Sequence, residues 1–233
     1  MTNLPALAFD HIAIAATTLE EGVAFCRERL GVTVPAGGRH PIMNTHNAVM
    51  SLGEGVYLEV IAIDPEAGPS ERPRWFGLDD ANLKARLAAE GPLLVAWIVR
   101  SVNVAATVAA SPVDLGTVRQ MSRGDLRWQI AVRDDGAVPM AGLFPIVIEW
   151  PPGPHVSTRM ADLGIRLEKV IVRSGAPAAL RQSLAAIGAE DLVEVAAMKR
   201  GAAPLEAVFQ LPDGRTASLT GGGTPSDADR CGG

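Results

Sequence analysis

The chain has 233 residues, a formal net charge of -5, and 48% hydrophobic and 20% charged residues. That composition suits a globular protein with an ample core, and it excludes the broad basic face that sequence-independent nucleic-acid binding needs. No stretch reaches the roughly 18 consecutive apolar residues of a membrane span, no basic n-region precedes an apolar run at the start, and Cys26 and Cys231 make no disulfide framework, so the expected setting is the cytoplasm.

Residues 7–14 read as a buried strand. Leu19, Val23, Cys26 and Leu30 then share one helix face, with Thr18 as N-cap, Glu20 and Glu21 in the first turn and Gly31 as the stop. The apolar runs 48–52 and 56–63, joined through Gly53-Glu54-Gly55, predict a hairpin. The Pro- and Gly-rich stretch 64–75 is a loop, and 79–90 is a connecting helix with Leu83 and Leu87 on one face. A second unit repeats the order: strand 93–101, helix 102–110, strands 113–121 and 126–132, a turn at Asp134-Asp135-Gly136, and a closing strand 146–150.

Beyond Pro151-Pro152-Gly153-Pro154 a third, shorter version begins, in which Ile171-Val172-Arg173-Ser174 repeats Ile98-Val99-Arg100-Ser101. It continues with a helix over 176–187 and strands near 192–196, 205–211 and 216–219, and 221–233 reads as a disordered tail. The expected organisation is therefore α+β: two βαβββ modules, about 7–63 and 93–150, within 5–151, and a third partial module over 160–220 packed on the pair.

The duplication carries chemistry. Glu59 in the last strand of the first unit and Glu149 in the last strand of the second occupy matched places, and His11 lies in the first strand. An ionised carboxylate among apolar strand residues is costly unless it is paired or metal-bound, and a His with two Glu in one cavity is a metal-ligand set. Without a metal, His11 would be a partly buried strand histidine and each Glu a salt-bridge partner. Period 2 puts Phe9, His11 and Ala13 on one face of the first strand, and Tyr57, Glu59 and Ile61 on one face of another. His46 offers a fourth ligand or an acid/base group, or else an exposed loop position, and His40 and His155, in Pro-flanked loops, could line the cup mouth but read better as loop surface. Arg127 and Gln129 share a strand face and contact substrate if that face points inward. Arg72 and Arg74 could hold an anionic tail or simply be solvated. Phosphate-binding loops, nucleophile elbows and CxxC pairs are absent from the sequence.

The strand Asp10-His11-Ile12-Ala13-Ile14, the helix ending in Leu30-Gly31, the stretch 39–48, Tyr57-Leu58-Glu59, Leu126-Arg127-Trp128 and Trp150-Pro151-Pro152-Gly153 resemble glyoxalase-like domain proteins of the vicinal oxygen chelate superfamily. The resemblance covers about residues 7–175. It implies paired modules curled into a mixed or antiparallel sheet cup, with a divalent metal (Zn, Mn, Ni, Co or Fe) chelating two adjacent substrate oxygens. Carried over by residue, it implies His11, Glu59 and Glu149 as ligands. The fourth position falls on Trp97, which cannot ligate and would line the pocket with Tyr57, so His46 is left to complete the shell.

The implied activity is that of a metal-dependent lyase or isomerase, with Glu149 or His46 moving a proton. The alternative is a metal-free cup that sequesters a small ligand, for which the four tryptophans speak, and ring-cleaving dioxygenation is the third option. The expected partner is a small molecule, with a homodimer left open by the edge strands.

Overall fold

The computed structural model describes residues 6–222. Among these residues, twelve strands form one large curled sheet that does not close on itself; three of the four α-helices pack on its outer side, and the helix over 81–90 packs with the concave-side cluster. The architecture is the α+β cup expected above. The first unit comprises β1 (Ala8–Ala15), α1 (Leu19–Leu30), β2 (Ala36–His40), β3 (Thr45–Ser51) and β4 (Tyr57–Ile63). The helix begins where Thr18 accepts from the Glu21 amide and ends at Gly31 in the left-handed region, as the cap residues foretold. The strand β2 was not foreseen, because Ala36-Gly37-Gly38-Arg39-His40 has neither alternation nor β-branched residues. After α2 (Ala81–Glu90), the second unit runs through β5 (Leu93–Arg100), α3 (Val104–Ala110), β6 (Thr117–Arg123), β7 (Leu126–Val132) and β8 (Ile146–Glu149).

The two units have the same internal order. In the first, β1 pairs parallel with β4, and β3 and β2 follow outward. In the second, β5 pairs parallel with β8, and β7 and β6 follow. The halves join through β1 and β5, antiparallel, about a pseudo-two-fold axis. Their far edges, β2 and β6, approach each other across the mouth without pairing. A β-bulge interrupts the central seam: Phe9 pairs with Val99 and His11 with Ile98, leaving Asp10 as the extra residue. Arg100 donates to the Phe9 carbonyl and to the Gly55 carbonyl, both at 2.6 Å, and so clamps the bulge to the β3–β4 turn.

The third unit has a different strand order. Its strands β9 (Arg166–Ser174), β10 (Glu194–Ala197), β11 (Leu205–Gln210) and β12 (Thr216–Gly221) run β10-β9-β11-β12, with α4 (Pro177–Ala185) between the first two. Here β9 pairs with the strand that directly follows its helix, whereas β1 pairs with the last strand of its unit. The strand β12 reaches β5 at Gly221 opposite Leu94, and residues of β1, β5, β9 and β11 share one core on the outer side of the sheet. Gly221 thus belongs to a strand, while the rest of the expected tail, 223–233 with Cys231, lies outside the described residues. Cys26 is fully buried in the same core, where burial pushes its thiol up to about 12. No helix among the described residues is long and apolar enough to cross a membrane.

The helix α1 lies close against β4 because position 22 has no side chain: a Cβ there would collide with Val60 Cγ1 and sit 3.0 Å from Ala16 Cβ. Gly22→Ala is therefore expected to lower stability by about 1–3 kcal/mol through overpacking, against a helix-propensity gain of about 1 kcal/mol. Urea unfolding checks this, and a variant as stable as the parent would show that the helix can lift off β4 freely.

Candidate functional site

The concave side of the cup holds a narrow cavity of about 30 Å³, room for about one water molecule. Its floor is polar and its walls aromatic. His11, Tyr57, Glu59, Asn47, His40 and Arg123 supply the polar groups, and Trp75, Phe76, Trp128 and Trp150 are among the walls. Val156 and Met160 close it from a strap, residues 150–165, that leads to the third unit. The strap is anchored where the Ser51 amide donates to the Ala161 carbonyl at 2.9 Å.

The bulge explains the floor. In a regular strand Phe9 and His11 would share a face, as expected from period 2. The inserted residue breaks that alternation, so Phe9 packs outward against Trp97, ring centroids 6.1 Å apart, while His11 faces the cavity. Asp10 is fully buried beside it. One carboxylate oxygen of Asp10 accepts from His11 Nδ1 at 2.6 Å. The other accepts from Trp150 Nε1 and His155 Nε2, both at 3.0 Å. The Ser157 amide donates to His155 Nδ1 at 3.3 Å, which puts the ring proton of His155 on Nε2, aimed at Asp10. Burial by itself would raise the Asp10 pKa, but the hydrogen bonds from the two histidines outweigh it and hold the group down at about 2, below the ordinary 3.8.

With Nδ1 committed to Asp10, His11 presents Nε2 to the cavity, 3.7 Å from Glu59 Oε2. That spacing is too long for a hydrogen bond. The other Glu59 oxygen accepts from Asn47 Nδ2 at 2.6 Å. Asn47 Oδ1 in turn accepts from the Gly38 amide at 2.9 Å and from Arg123 Nη1 at 2.7 Å. One hydrogen-bonded line therefore runs from Arg123 through Asn47 to Glu59, and a second runs from His11 to Asp10 and the strap. The two lines meet across the gap between Nε2 and Oε2. The Tyr57 ring stacks on His11 at 4.2 Å, and burial and the nearby Asp10 and Glu59 charges keep its phenol neutral. His40, buried and beside Arg123, is pushed down to about 3 and stays neutral, with Nδ1 3.1 Å from the Thr45 hydroxyl.

Of the residues expected in the site, His11, Glu59 and Tyr57 are brought together. The others are not. Glu149 points to the outer face, where it accepts from the Val104 amide at 2.8 Å and caps α3. It is Ile148 that lines the cavity. Trp97 is wholly buried in the outer core. The cup-facing residue paired with His11 on β5 is instead Ile98. His46 alternates with the cavity-lining Asn47 and so lies on the opposite face, its Nε2 buried without a hydrogen-bond partner among the described residues. Arg127 is exposed and donates to the Gly124 and Leu126 carbonyls, and Gln129 pairs with Glu149 on the outer face, while the alternate residues Trp128 and Ile130 line the cup. Arg74 is paired with Asp79, and Arg72 borders a separate surface groove.

Sequence reasoning placed His40 and His155 on the surface, but both belong to the site, and Asn47 and Arg123 were missed. Gly37-Gly38 was the available signal: a Cβ at Gly37 would collide with Asn47 Oδ1, and one at Gly38 would lie 3.0 Å from Arg123 Cδ.

These positions bear on the implied metal. His11 Nε2 and Glu59 Oε2 face one space, each braced from behind, which is half of a ligand set. The second module contributes Ile98, Ile130 and Ile148 where the other ligands would stand. Among the described residues no group of three His, Cys, Asp or Glu side chains converges on a metal position. A resident divalent metal with three or four protein ligands does not fit this cup.

A curled sheet of two βαβββ units around a cup defines the vicinal oxygen chelate class of proteins. Residues 9–188 match the family model described as glyoxalase-like domain, and the chain belongs to that family. No curated protein matches it. Among solved structures, a hypothetical protein from Staphylococcus aureus superposes with a TM-score of 0.57 at 14% identity, over 94% of this chain and 88% of that one. Methylmalonyl-CoA epimerase from Mycobacterium tuberculosis gives 0.40 at 16% identity, over 68% and 95%.

The depressed Asp10 pKa has a stability consequence. A carboxyl held below its unfolded value stabilises the fold above that value, and the contribution is lost as pH falls through the folded pKa. A shift from 3.8 to about 2 corresponds to about 2 kcal/mol. Asp10→Asn is expected to be less stable than the parent by about that amount at pH 7, with the gap narrowing between pH 4 and pH 2. Denaturant unfolding across this range measures it, and a gap independent of pH would show that the charge of Asp10 is immaterial.

Proposed function

We propose that the cup is a proton-transfer site, the centre of an isomerase or lyase that acts on a small carbonyl compound without a resident metal. The observation that carries this is the opposition of His11 Nε2 and Glu59 Oε2 at 3.7 Å. Two groups able to hold a proton face the same small space, and neither has another partner there. A substrate carbon or oxygen lying between them would meet a base on one side and an acid on the other. Asp10 fixes the tautomer and orientation of His11 and stabilises its cation, as a buried carboxylate does behind any catalytic histidine. Asn47 holds the Glu59 carboxylate with one oxygen free. The apolar half of the cup excludes water and strengthens both interactions.

The rival reading, a cup that only sequesters a ligand, is supported by the aromatic walls. It leaves the floor unexplained. A purely binding cup would neutralise its buried carboxylates with Arg or Lys, whereas Asp10 is paired with two histidines and Glu59 with an amide and a histidine.

The test is hydrogen–deuterium exchange at the carbon next to a carbonyl, followed by proton NMR in D2O with dihydroxyacetone, methylglyoxal and 2-oxobutanoate as probes. The protein is expected to accelerate exchange of at least one probe, with Glu59→Gln and His11→Gln each reducing the rate by about 10²- to 10⁴-fold. Chelators are expected to leave the rate unchanged, and elemental analysis to give well under one metal per chain. Stoichiometric metal that disappears in Glu59→Gln would overturn the metal-free part of the reading. Exchange indifferent to both substitutions would overturn the whole.

A further inference from the structure

We propose that Arg123 is the recognition group for a substrate carboxylate, so that this cup takes small organic acids in preference to neutral carbonyl compounds. The inference rests on the proton-transfer reading for the place of the reacting carbon, and on independent observations for the anion.

Among the described residues, Arg123 is the one arginine or lysine lining the cavity. Other arginines are paired with carboxylates: Arg74 with Asp79, Arg119 with Asp134, Arg159 with Asp125. Arg123 has no carboxylate partner among the described residues. Nη1 donates to Asn47 Oδ1 at 2.7 Å and lies 3.5 Å from His40 Nε2. Nε and Nη2 have no protein acceptor there, and neither is sealed away from solvent. A guanidinium so placed keeps one edge of its donor fork free, which is the geometry that binds a carboxylate through two parallel hydrogen bonds.

The surroundings are built for this guanidinium. Gly38 leaves the strip of β2 over which its side chain passes, with Arg123 Cδ 3.0 Å from where a Cβ would be. His40 beside it is held neutral by burial and by Arg123 itself, so no second cation disperses an anion. Glu59 and Asp10 lie away from it along the wall, Glu59 beyond the Asn47 amide and Asp10 behind the His11 ring. The cup is therefore positive at the β2–β6 rim and acid–base at the floor. A carboxylate on Arg123 places the adjacent carbons of a short acid toward the gap between Glu59 Oε2 and His11 Nε2.

The test compares each acid with its own amide: 2-oxobutanoate with 2-oxobutanamide, and acetoacetate with acetoacetamide. Binding to the full chain is measured by calorimetry, and deuterium exchange by NMR in the same samples. An acid is expected to bind about 10- to 100-fold tighter than its amide, the range of a charge-assisted hydrogen-bonded pair. Arg123→Gln should abolish this preference and Arg123→Lys should keep part of it, with thermal melts checking that both variants fold. Were Arg123 only a brace for Asn47, both substitutions would weaken acid and amide alike and leave their ratio unchanged, which overturns the proposal. Equal affinity for acid and amide in the parent protein, or no binding of either acid, overturns it too. The two readings fail separately. Exchange of amides as fast as acids removes the carboxylate proposal and leaves proton transfer standing. Tight, Arg123-dependent binding of acids without exchange removes proton transfer and leaves anion recognition.

Discussion

The buried charge of Asp10 is the constraint around which the site is arranged. A carboxylate fully removed from water must find donors or lose its charge, and this one draws them from three places: His11 next to it in β1, Trp150 just past β8, and His155 in the strap. Those donors come from the first module, the second module and the link to the third unit. Satisfying one side chain therefore fixes the relation of the two halves of the cup and the path of the strap over it. The bulge at Asp10 is what lets two consecutive residues serve one site, and Arg100 holds that irregularity in place from the neighbouring strand.

From this follows a division of labour between modules that look alike in sequence. The first supplies nearly all the polar chemistry, and the second supplies Ile98, Trp128, Ile130 and Ile148. Arg123 is the exception, reaching from the free edge of the second module to Asn47 in the first. An apolar half is not idle. It lowers the local dielectric around the His11–Glu59 pair and so enlarges every charge interaction there. The two halves thus share a scaffold but carry unlike linings, and the groups a symmetric site would need stand in one half alone among the described residues.

The elements of the fold were largely legible in the sequence because caps, turns and hydrophobic periods point one way for α1, β1, β4, α2 and β5. Strand alternation reads the cavity lining of β4, but not that of β1, where the bulge turns Phe9 away from the face of His11. His11, Glu59 and Tyr57 line the cavity; Glu149, Trp97 and His46 do not. Glu149 is one residue past the cup-facing Ile148, and a slip of one residue turns a side chain to the other face of a sheet. Matching the two Glu residues by sequence likeness aligned the strands but not their pleats. Arg127 and Gln129 failed in the same way beside Trp128 and Ile130. His155, Asn47 and Arg123 were hidden for another reason: they are joined to the site by contacts across 12 or more residues of chain, and no local pattern encodes such contacts.

The strap contributes Val156 and Met160 to the lining and His155 to Asp10, and Trp150 at its root does both. The strap and its root therefore supply two of the donors to the carboxylate that orients His11. The side chains that shield the cup are thus among those that fix the His11 ring through Asp10.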